Sequence, residues 1–383
     1  TQQQVNLSRR LATFSLSSGK TFLWTIPLIC SLLILLIPLN KLEMNPTQMY
    51  SEKYTSFGPD VLWLDKKLGA SFPISFKATS DNGSVSNPRF LEGLDNFSIW
   101  LEEQKEVTHV TSLARTMKSL NKSMHGDDLK MKVIPEDQEL SSQYLFFYEM
   151  SLPMGLDLNT SISQDRGSTR IAATLREMTS KEYLIFDEKV TKYLRENNLE
   201  STISKPAGFR VIFVYLMEAI VNSLLVGVTI GLALIITVIG FFFRSASFGF
   251  LSSFPNILPI VSAFGIWAII DGQIDFMVAV GMGSTLGIIV DFTVHLLSKY
   301  DLARQELKKS PEDAVLFAFE AVGFALIAMT IILALGFSVL HLVSFLPMHN
   351  FAQFSILAFV FALIIDFFLF PNLLVRFDKR KFN

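Results

Sequence analysis

Residues 276–298 read FMVAVGMGSTLGIIVDFTVHLLS. At about 1.5 Å of rise per residue, a helix of this length crosses the ~30 Å hydrocarbon core of a bilayer. Asp291 and His295 alone interrupt the stretch with ionisable side chains. The stretch therefore predicts a membrane span that carries ionisable groups, and it decides the class of protein to which the chain belongs.

The composition of the whole chain agrees with a membrane protein. Of its 383 residues, 50% are hydrophobic and 18% are charged, whereas soluble proteins carry about 25% charged residues. Its mean hydropathy is +0.40. The net charge of −2 leaves no basic excess to neutralise phosphates, so we expect no nucleic-acid partner. The single cysteine, Cys30, excludes an internal disulfide framework and a cysteine-based metal cluster.

Five further stretches have the length and apolar character of a membrane span. Lysine and arginine collect in the cytoplasmic connections of membrane proteins, and the short connections 271–275 and 341–349 hold neither. We therefore predict that these connections lie outside and that both termini lie in the cytoplasm. The predicted divisions are a cytoplasmic segment 1–20, a first span 21–40, an outer domain 41–210, a five-helix membrane domain 211–375 with spans at 219–243, 245–270, 276–298, 314–340 and 350–375, and a cytoplasmic tail 376–383.

The outer domain shows strand and helix patterns in alternation. Ile74, Phe76 and Ala78 alternate as in a half-buried strand, and Asn87 before Pro88 has the form of a helix start. A third element follows at 107–113, and a second strand and helix are predicted at 170–175 and 180–196. Two such units predict a large α+β domain of the split βαβ, or ferredoxin-like, kind. The aromatic run Tyr144, Phe146, Phe147 and Tyr148 fits either a buried core or an exposed lipid-contacting surface.

The presence of Asp291 within a predicted span requires a physical reason. Insertion of an aspartate at the centre of a membrane helix costs roughly 2.5–3.5 kcal/mol of free energy. On a 3.6-residue repeat Asp291 falls on one narrow polar face, and apolar residues cover the other sides. We predict that this face meets protein or water and not lipid. The face consists of Ser284, Gly287, Asp291, His295 and Ser298.

Asp366 lies at a similar predicted depth. Counted from Lys299 and Arg376 at ~1.5 Å per residue, Asp291 and Asp366 lie about 12 and 15 Å above the cytoplasmic boundary. Burial disfavours a charged carboxylate and a nearby imidazolium favours it, so such a site can load and release a proton. The alternative is a permanently hydrogen-bonded polar clamp between helices. The candidate relay residues are Asp291, His295, Asp366 and Glu320, of which Glu320 also fits a snorkelling surface residue.

The remaining polar features give weaker predictions. Gly283 and Gly287, like Gly227 and Gly231, have a four-residue spacing that permits close approach of another helix. Glu218 and Asn222, one turn apart, fit either a substrate entrance or an interfacial cap. His341 and His349 lack the carboxylate or cysteine support of a metal site, so no metal is predicted. The sequence also lacks a nucleophile elbow, a phosphate loop and an HExxH motif, and we predict no enzyme.

One helix, a large outer domain and five helices resemble half of a resistance-nodulation-division (RND) transporter, and specifically the C-terminal half in the MMPL-type branch of hydrophobe and lipid exporters. Arg244-Ser245 followed by Pro255-Asn256-Ile257-Leu258-Pro259 is similar to that family's link between the second and third helices. Residues 287–295, GIIVDFTVH, resemble its fourth-helix signature, and 336–340 and 366–371 resemble its fifth and sixth helices. Phe292 departs from the signature, because many relatives carry a second aspartate there.

The resemblance implies an RND half-transporter in a bacterial inner membrane, with a periplasmic domain and the proton gradient as its energy source in place of a cofactor. It would export a hydrophobic or amphipathic substrate such as a lipid. Implied partners are membrane lipids, periplasmic carrier or adaptor proteins, and an N-terminal RND half or a second six-helix subunit. Because the sequence begins at Thr1, we expect a longer working protein. The alternatives are a SecDF-like accessory of protein translocation and a sterol- or lipid-sensing scaffold that does not pump.

Overall fold

The computed structural model describes residues 2–42, 49, 58–68, 73–153, 157–176 and 178–378. Residues 379–383 of the predicted cytoplasmic tail lie outside the described residues. The chain divides into two compact units. The membrane unit comprises the described residues of Thr1–Met44, Met49–Tyr54 and Met217–Asn383, and the α+β unit comprises those of Thr55–Leu216.

The elements are numbered in chain order over the described residues. The α-helices are α1 (Gln2–Ser17), α2 (Gly19–Ile34), α3 (Gly58–Leu68), α4 (Pro88–Glu102), α5 (Leu113–Met124), α6 (Gln138–Ser151), α7 (Ser180–Glu196), α8 (Phe209–Phe242), α9 (Ala246–Ile270), α10 (Phe276–Gln305), α11 (Pro311–Ala318), α12 (Phe324–Ser338), α13 (Leu346–Ile364) and α14 (Phe370–Phe377). The strands are β1 (Lys41–Leu42), β2 (Ile74–Thr79), β3 (Val107–Thr111), β4 (Ser168–Leu175) and β5 (Gln273–Ile274). Two π-helical turns, Phe319–Gly323 and Ile365–Leu369, join α11 to α12 and α13 to α14.

Six helical runs among the described residues are long and apolar enough to cross a membrane, which confirms the predicted number of spans. The largest difference in position is at α8, which begins at Phe209 and not near 219. Val211 and Val214 are buried in the core of the α+β unit, so the first residues of this long helix serve a different core. The runs are Gly19–Leu39, Phe209–Phe242, Ala246–Ile270, Phe276–Gln305, Pro311–Leu342 and Leu346–Phe377.

The interior of the membrane unit is formed by α9, α10 and α13, while α2, α8 and α12 are largely exposed. The closest approaches between these helices occur at glycines. A Cβ at Gly249 of α9 would lie 2.6 Å from the carbonyl oxygen of Ile236 in α8, and one at Gly265 would lie 2.4 Å from that of Leu33. Because real Cβ atoms do not approach that closely, these two positions fix how near α8 and α2 lie to α9.

Helix α1, which is absent from the predicted elements, packs on the two π-helical turns. Its buried face consists of the small residues Ser8, Ala12 and Ser15. The Ser15 hydroxyl donates to the carbonyl oxygen of Phe367 at 2.7 Å, and a Cβ at Gly323 would lie 3.1 Å from Ser8 Oγ. Small side chains therefore allow α1 to lie close to both turns.

The α+β unit contains a three-stranded antiparallel sheet in the order β2-β4-β3. Isolated bridges pair Ser75 with Ala207 and Ala78 with Ile203, so the segment 203–207 runs antiparallel along the other side of β2. Ile74, Phe76 and Ala78 are all fully buried. The strand predicted from their alternation is therefore confirmed.

The predicted helices on this sheet are confirmed as well. The Asn87 side chain accepts a hydrogen bond from the Phe90 amide at 3.1 Å and so caps α4, as Asn at an N-cap does. Thr179 and Glu182 form a reciprocal capping box at the start of α7. The apolar faces of both helices are buried, and their members are Phe90, Leu91, Leu94, Phe97, Leu101, Val190 and Leu194.

The aromatic run of α6 is divided between the two predicted alternatives, a buried core and an exposed surface. Tyr144 and Leu145 are buried, whereas Phe146 and Phe147 are 53% and 54% exposed. The run is therefore part core and part surface, because a helix with successive aromatic residues cannot turn all of them inward.

One ion pair of the α+β unit is anchored on a buried carboxylate. Glu106 is 3% exposed, and its Oε1 accepts a hydrogen bond from Lys189 Nζ at 3.0 Å. Burial raises the pKa of Glu106, but the hydrogen bond and charge of Lys189, together with the charge of Lys105, outweigh burial and hold that pKa below its ordinary value of 4.5. Ionised Glu106 therefore stabilises the folded unit.

We predict that Glu106→Gln lowers the free energy of unfolding by about 1–2 kcal/mol near neutral pH, since it removes a charge-assisted hydrogen bond. Because the folded pKa lies below the unfolded one, this contribution is fully present above pH 4.5 and is lost as the pH falls through the lower, folded pKa. Thermal unfolding of the full chain at a series of pH values measures it. The exposed neighbour variant Glu103→Gln is the control, and a pH-independent difference between wild type and Glu106→Gln contradicts the prediction.

Candidate functional site

The polar face predicted on the fourth span lies on the surface of the membrane unit. The opposite sides of α10 are apolar and buried, with Ile289, Phe292 and Leu296 at most 1% exposed. Helix α10 therefore turns its apolar sides toward the interior of the membrane unit and its polar face toward the outside. The exposed residues are Ser284, Gly287, Asp291, His295 and Ser298.

Asp291 and His295 are one helical turn apart on this face. Neither forms a hydrogen bond or ion pair with another side chain in the described part of the chain. A lone aspartate facing hydrocarbon would cost roughly 2.5–3.5 kcal/mol. The membrane unit by itself thus presents a surface that needs protein or water to cover it.

The glycines near the polar face differ in their surroundings. A Cβ at Gly283 would lie 3.6 Å from Leu224 Cδ2 of α8, but one at Gly287, Gly227 or Gly231 would meet no described atom within 4 Å. The predicted close approach at these last three glycines is therefore not made within the described residues. Gly227 and Gly231 therefore leave space beside the backbone of α8.

Glu218 and Asn222, the candidate entrance residues, are both exposed on α8. No hydrogen bond or ion pair from either of them to the polar face is found in the described residues. They remain a candidate entrance on grounds of position along α8.

Asp366 lies on the opposite side of α10 from Asp291. Its side chain is fully buried, and its Oδ1 is 3.2 Å from Thr293 Oγ1. Thr293 Oγ1 is in turn 3.3 Å from Asn256 Oδ1 on α9. Because Thr293 follows Asp291 by two residues, about 3 Å of rise, the two carboxylates lie at similar depth on different faces. The structure does not bring them together.

Glu320 is separate from both carboxylates. It lies in the π-helical turn Phe319–Gly323, and its carboxylate is 3.4 Å from Arg9 Nε of α1, with side-chain exposures of 33% and 64%. An ion pair this exposed contributes about 1 kcal/mol at most. The geometry fits an anchor for α1 better than a step of a path from Asp291.

Thr293 and Asn256 are polar residues that were not predicted as site residues, although both lie in motifs that resemble those of the family. A hydroxyl or amide in a membrane helix can bond to its own backbone one turn back, so its presence in an apolar run does not reveal a partner on another helix. Only the packing of α9 against α10 shows that they meet.

Comparison with known proteins agrees with this architecture. The model of the MMPL family matches residues 88–381. The chain belongs to the MMPL family. The protein MJ1562 of Methanocaldococcus jannaschii, whose name places it among membrane proteins, is 29% identical over 149 residues, or 38% of each chain. This chain therefore spans well under half of that relative's length.

Membership in this family and the six apolar helical runs identify a multi-pass membrane protein. Phe292, at which the sequence departs from the fourth-helix signature that it resembles, is fully buried in the main apolar cluster of the membrane unit. A phenylalanine fills space and has no proton to exchange. The membrane unit therefore has a single acidic residue in the signature, Asp291.

We predict that Phe292→Asp destabilises this chain. An aspartate there would be buried without a described cationic partner, and an uncompensated buried charge costs about 3–5 kcal/mol. The apparent Tm of the purified protein measures the loss. Phe292→Leu, which keeps the site apolar, is expected to lose about 1 kcal/mol. Equal Tm values for the two variants contradict this interpretation of Phe292.

Proposed function

We propose that the chain is half of a proton-driven exporter, which moves a hydrophobic or amphipathic molecule, with a lipid as first candidate, from the inner membrane toward the periplasm or outer membrane. The observation that carries the proposal is the exposed polar face of α10 in a chain of the MMPL family. A transporter that uses a proton gradient needs an ionisable group at membrane depth that can be shielded and reopened.

A second protein surface is the natural cover for this face. The open surfaces at Gly287, Gly227 and Gly231 permit another helix to approach closely, because small residues allow backbone contact in membranes. We propose that an N-terminal RND half, or a second six-helix subunit, packs there. In that setting Asp291 lies between helices, and the lipid no longer contacts it.

Asp291 would then take up a proton from one side and release it to the other. Uptake converts a carboxylate to a neutral acid and removes the cost of a desolvated charge. His295, one turn toward Lys299, would stabilise the ionised form when its imidazole is protonated. Loss and gain of this charge would change how closely the partner can pack on α10, and that movement would couple the proton to transport.

The α+β unit would handle the substrate on the periplasmic side. Its order, with 203–207 beside β2 and β4 between β2 and β3, supports the ferredoxin-like arrangement predicted for it. The absence of Lys and Arg from the connections 271–275 and 341–349 supports cytoplasmic termini. Glu218 and Asn222 would lie at the entrance, and a periplasmic carrier or adaptor would receive the substrate.

We predict that Asp291→Asn lowers the rate of proton-dependent transport by more than about tenfold while the protein still folds. The amide keeps the shape of the carboxyl group but cannot exchange a proton. The measurement uses the complete transporter in vesicles of bacterial polar lipid, with an internal pH dye, an imposed pH gradient and a fluorescently labelled phospholipid as the probe. Glu312→Gln, the same kind of acid-to-amide change at an exposed residue of α11 outside this face, is the control. Unchanged proton-coupled movement in Asp291→Asn overturns the proposal and leaves a scaffold that binds lipid without pumping.

A further inference from the structure

We infer that Asp366 is a permanently protonated hydrogen-bond donor that clamps three membrane helices together and does not exchange its proton during transport. The inference rests on the proposed function only where it assigns proton exchange to Asp291 alone. It differs from the sequence-based prediction, in which Asp366 assists the relay.

Two side-chain oxygen atoms lie close to the Thr293 hydroxyl. Thr293 Oγ1 lies 3.2 Å from Asp366 Oδ1 and 3.3 Å from Asn256 Oδ1. Asn256 Nδ2 donates to the carbonyl oxygen of Ser252 at 2.7 Å, which fixes the orientation of the amide. With the amide reversed, Asn256 Oδ1 would face the carbonyl oxygen of Ser252, which is also an acceptor. The oxygen of Asn256 must therefore face Thr293.

A count of hydrogens then decides the form of Asp366. A threonine hydroxyl has one hydrogen to donate, and an amide oxygen only accepts. If Asp366 were ionised, both neighbours of Thr293 Oγ1 would be acceptors, and one of the two contacts would lack a hydrogen. If Asp366 is protonated on Oδ1, it donates to Thr293, Thr293 donates to Asn256, and Asn256 donates to the Ser252 carbonyl. Each donor in this chain then has an acceptor.

The surroundings of Asp366 also favour the neutral form. Its second oxygen, Oδ2, is buried and has no hydrogen-bond partner among the described residues. No salt bridge joins Asp366 to a described cation. A carboxylate buried in this way would hold a charge with one hydrogen bond at most, and an unpaired buried charge is far more costly than an unbonded neutral carbonyl.

Among the described residues, no ionisable group packed near Asp366 offsets that cost. On α2, Cys30 lies in the same apolar cluster as Ile365 and Leu369, and its thiol accepts a hydrogen bond from Ser262. Asp291 and His295 point away on the other face of α10. Arg9 of α1 is engaged by Glu320. A neutral acid is thus the form that these neighbours accommodate.

The backbone around Asp366 is held in place from two sides. In the π-helical turn Ile365–Leu369, the carbonyl oxygen of Phe367 accepts from the Ser15 hydroxyl at 2.7 Å. The carbonyl oxygen of Phe368 accepts from Asn372 Nδ2 at 2.8 Å. These two bonds link the backbone of the turn to side chains of α1 and α14. Asp366 is therefore part of a fixed junction between α9, α10 and the sixth span.

The test compares Asp366→Asn with Asp366→Leu in the complete transporter. The Asn side chain has the same shape, and its Nδ2 can donate to Thr293 as the protonated acid does. We expect Asp366→Asn to keep proton-dependent transport within about twofold, a small change in barrier height, and to leave its pH profile unmoved. Asp366→Leu removes the donor, and we expect an apparent Tm lower by roughly 4 °C or more.

Infrared absorption spectra of the wild type and of each variant, recorded at neutral and alkaline pH, supply a readout that a structural role alone would not move. We expect a protonated carboxylic acid band at neutral and alkaline pH that is lost in Asp366→Asn and retained in Asp291→Asn. A folded Asp366→Asn protein that loses transport, or a band that titrates with the transport activity, overturns the inference. Sodium-dependent thermal stabilisation that disappears in Asp366→Asn also overturns it, because a cation would then occupy these oxygens.

The outcomes separate the two proposals. If Asp291→Asn abolishes transport and a folded Asp366→Asn also does, the proposed function stands and the clamp fails. If both Asn variants transport normally while Asp366→Leu is destabilised and the infrared band behaves as expected, the clamp stands and the proposed function fails.

Discussion

The energetic cost of an ionisable group in hydrocarbon is the constraint that decides what must surround the polar face of α10. Helix α10 turns its apolar sides to the interior of the membrane unit and its polar face outward, the reverse of what an isolated bundle in lipid would require. Either water or another protein surface must therefore meet Asp291. The arrangement makes sense for a chain that works as one half of a larger membrane core.

The carboxylates of Asp366 and Asp291, which lie at similar depth, have opposite surroundings in the membrane unit. Asp366 points inward, contacts Thr293 and lies in a π-helical turn that Ser15 and Asn372 support. Asp291 points outward and has no described partner. Two acids at similar depth thus have separate environments, and separate environments assign separate roles to otherwise similar groups. We propose that this inner junction holds α10 in place while the outer face of the helix responds to charge.

Much of this architecture can be predicted from the sequence, because its signals are strong and local. Long apolar runs locate the spans, and Asn87-Pro88 with apolar residues at helical spacing locates α4. The polar face of α10 follows from a 3.6-residue repeat. Periodicity identifies a stripe but not the direction in which it points, so the outward position of Asp291 and the separation of Asp366 from it require the packing of the helices.

The elements that the sequence does not reveal depend on contacts between distant segments. The packing of α1 on both π-helical turns uses Ser8 and Ser15, which have no distinctive pattern in a polar terminal segment. The close contact of α8 and α9 occurs at Gly249 and Gly240, while the glycine pair with the regular spacing, Gly227 and Gly231, is open. Spacing predicts where helices can approach, and only the fold determines which glycines are used.

The most direct test is the environment of the polar face in the membrane. A nitroxide spin label is placed at Ser284→Cys or Ser298→Cys in a Cys30→Ala background of the complete transporter, and its accessibility to oxygen, which concentrates in hydrocarbon, is compared with that of a water-soluble relaxant. Leu234→Cys, at a side chain that is 59% exposed on α8, is the lipid-facing control. We predict low oxygen accessibility at 284 and 298 and high accessibility at 234. Equal, lipid-like accessibility at all three positions would contradict it.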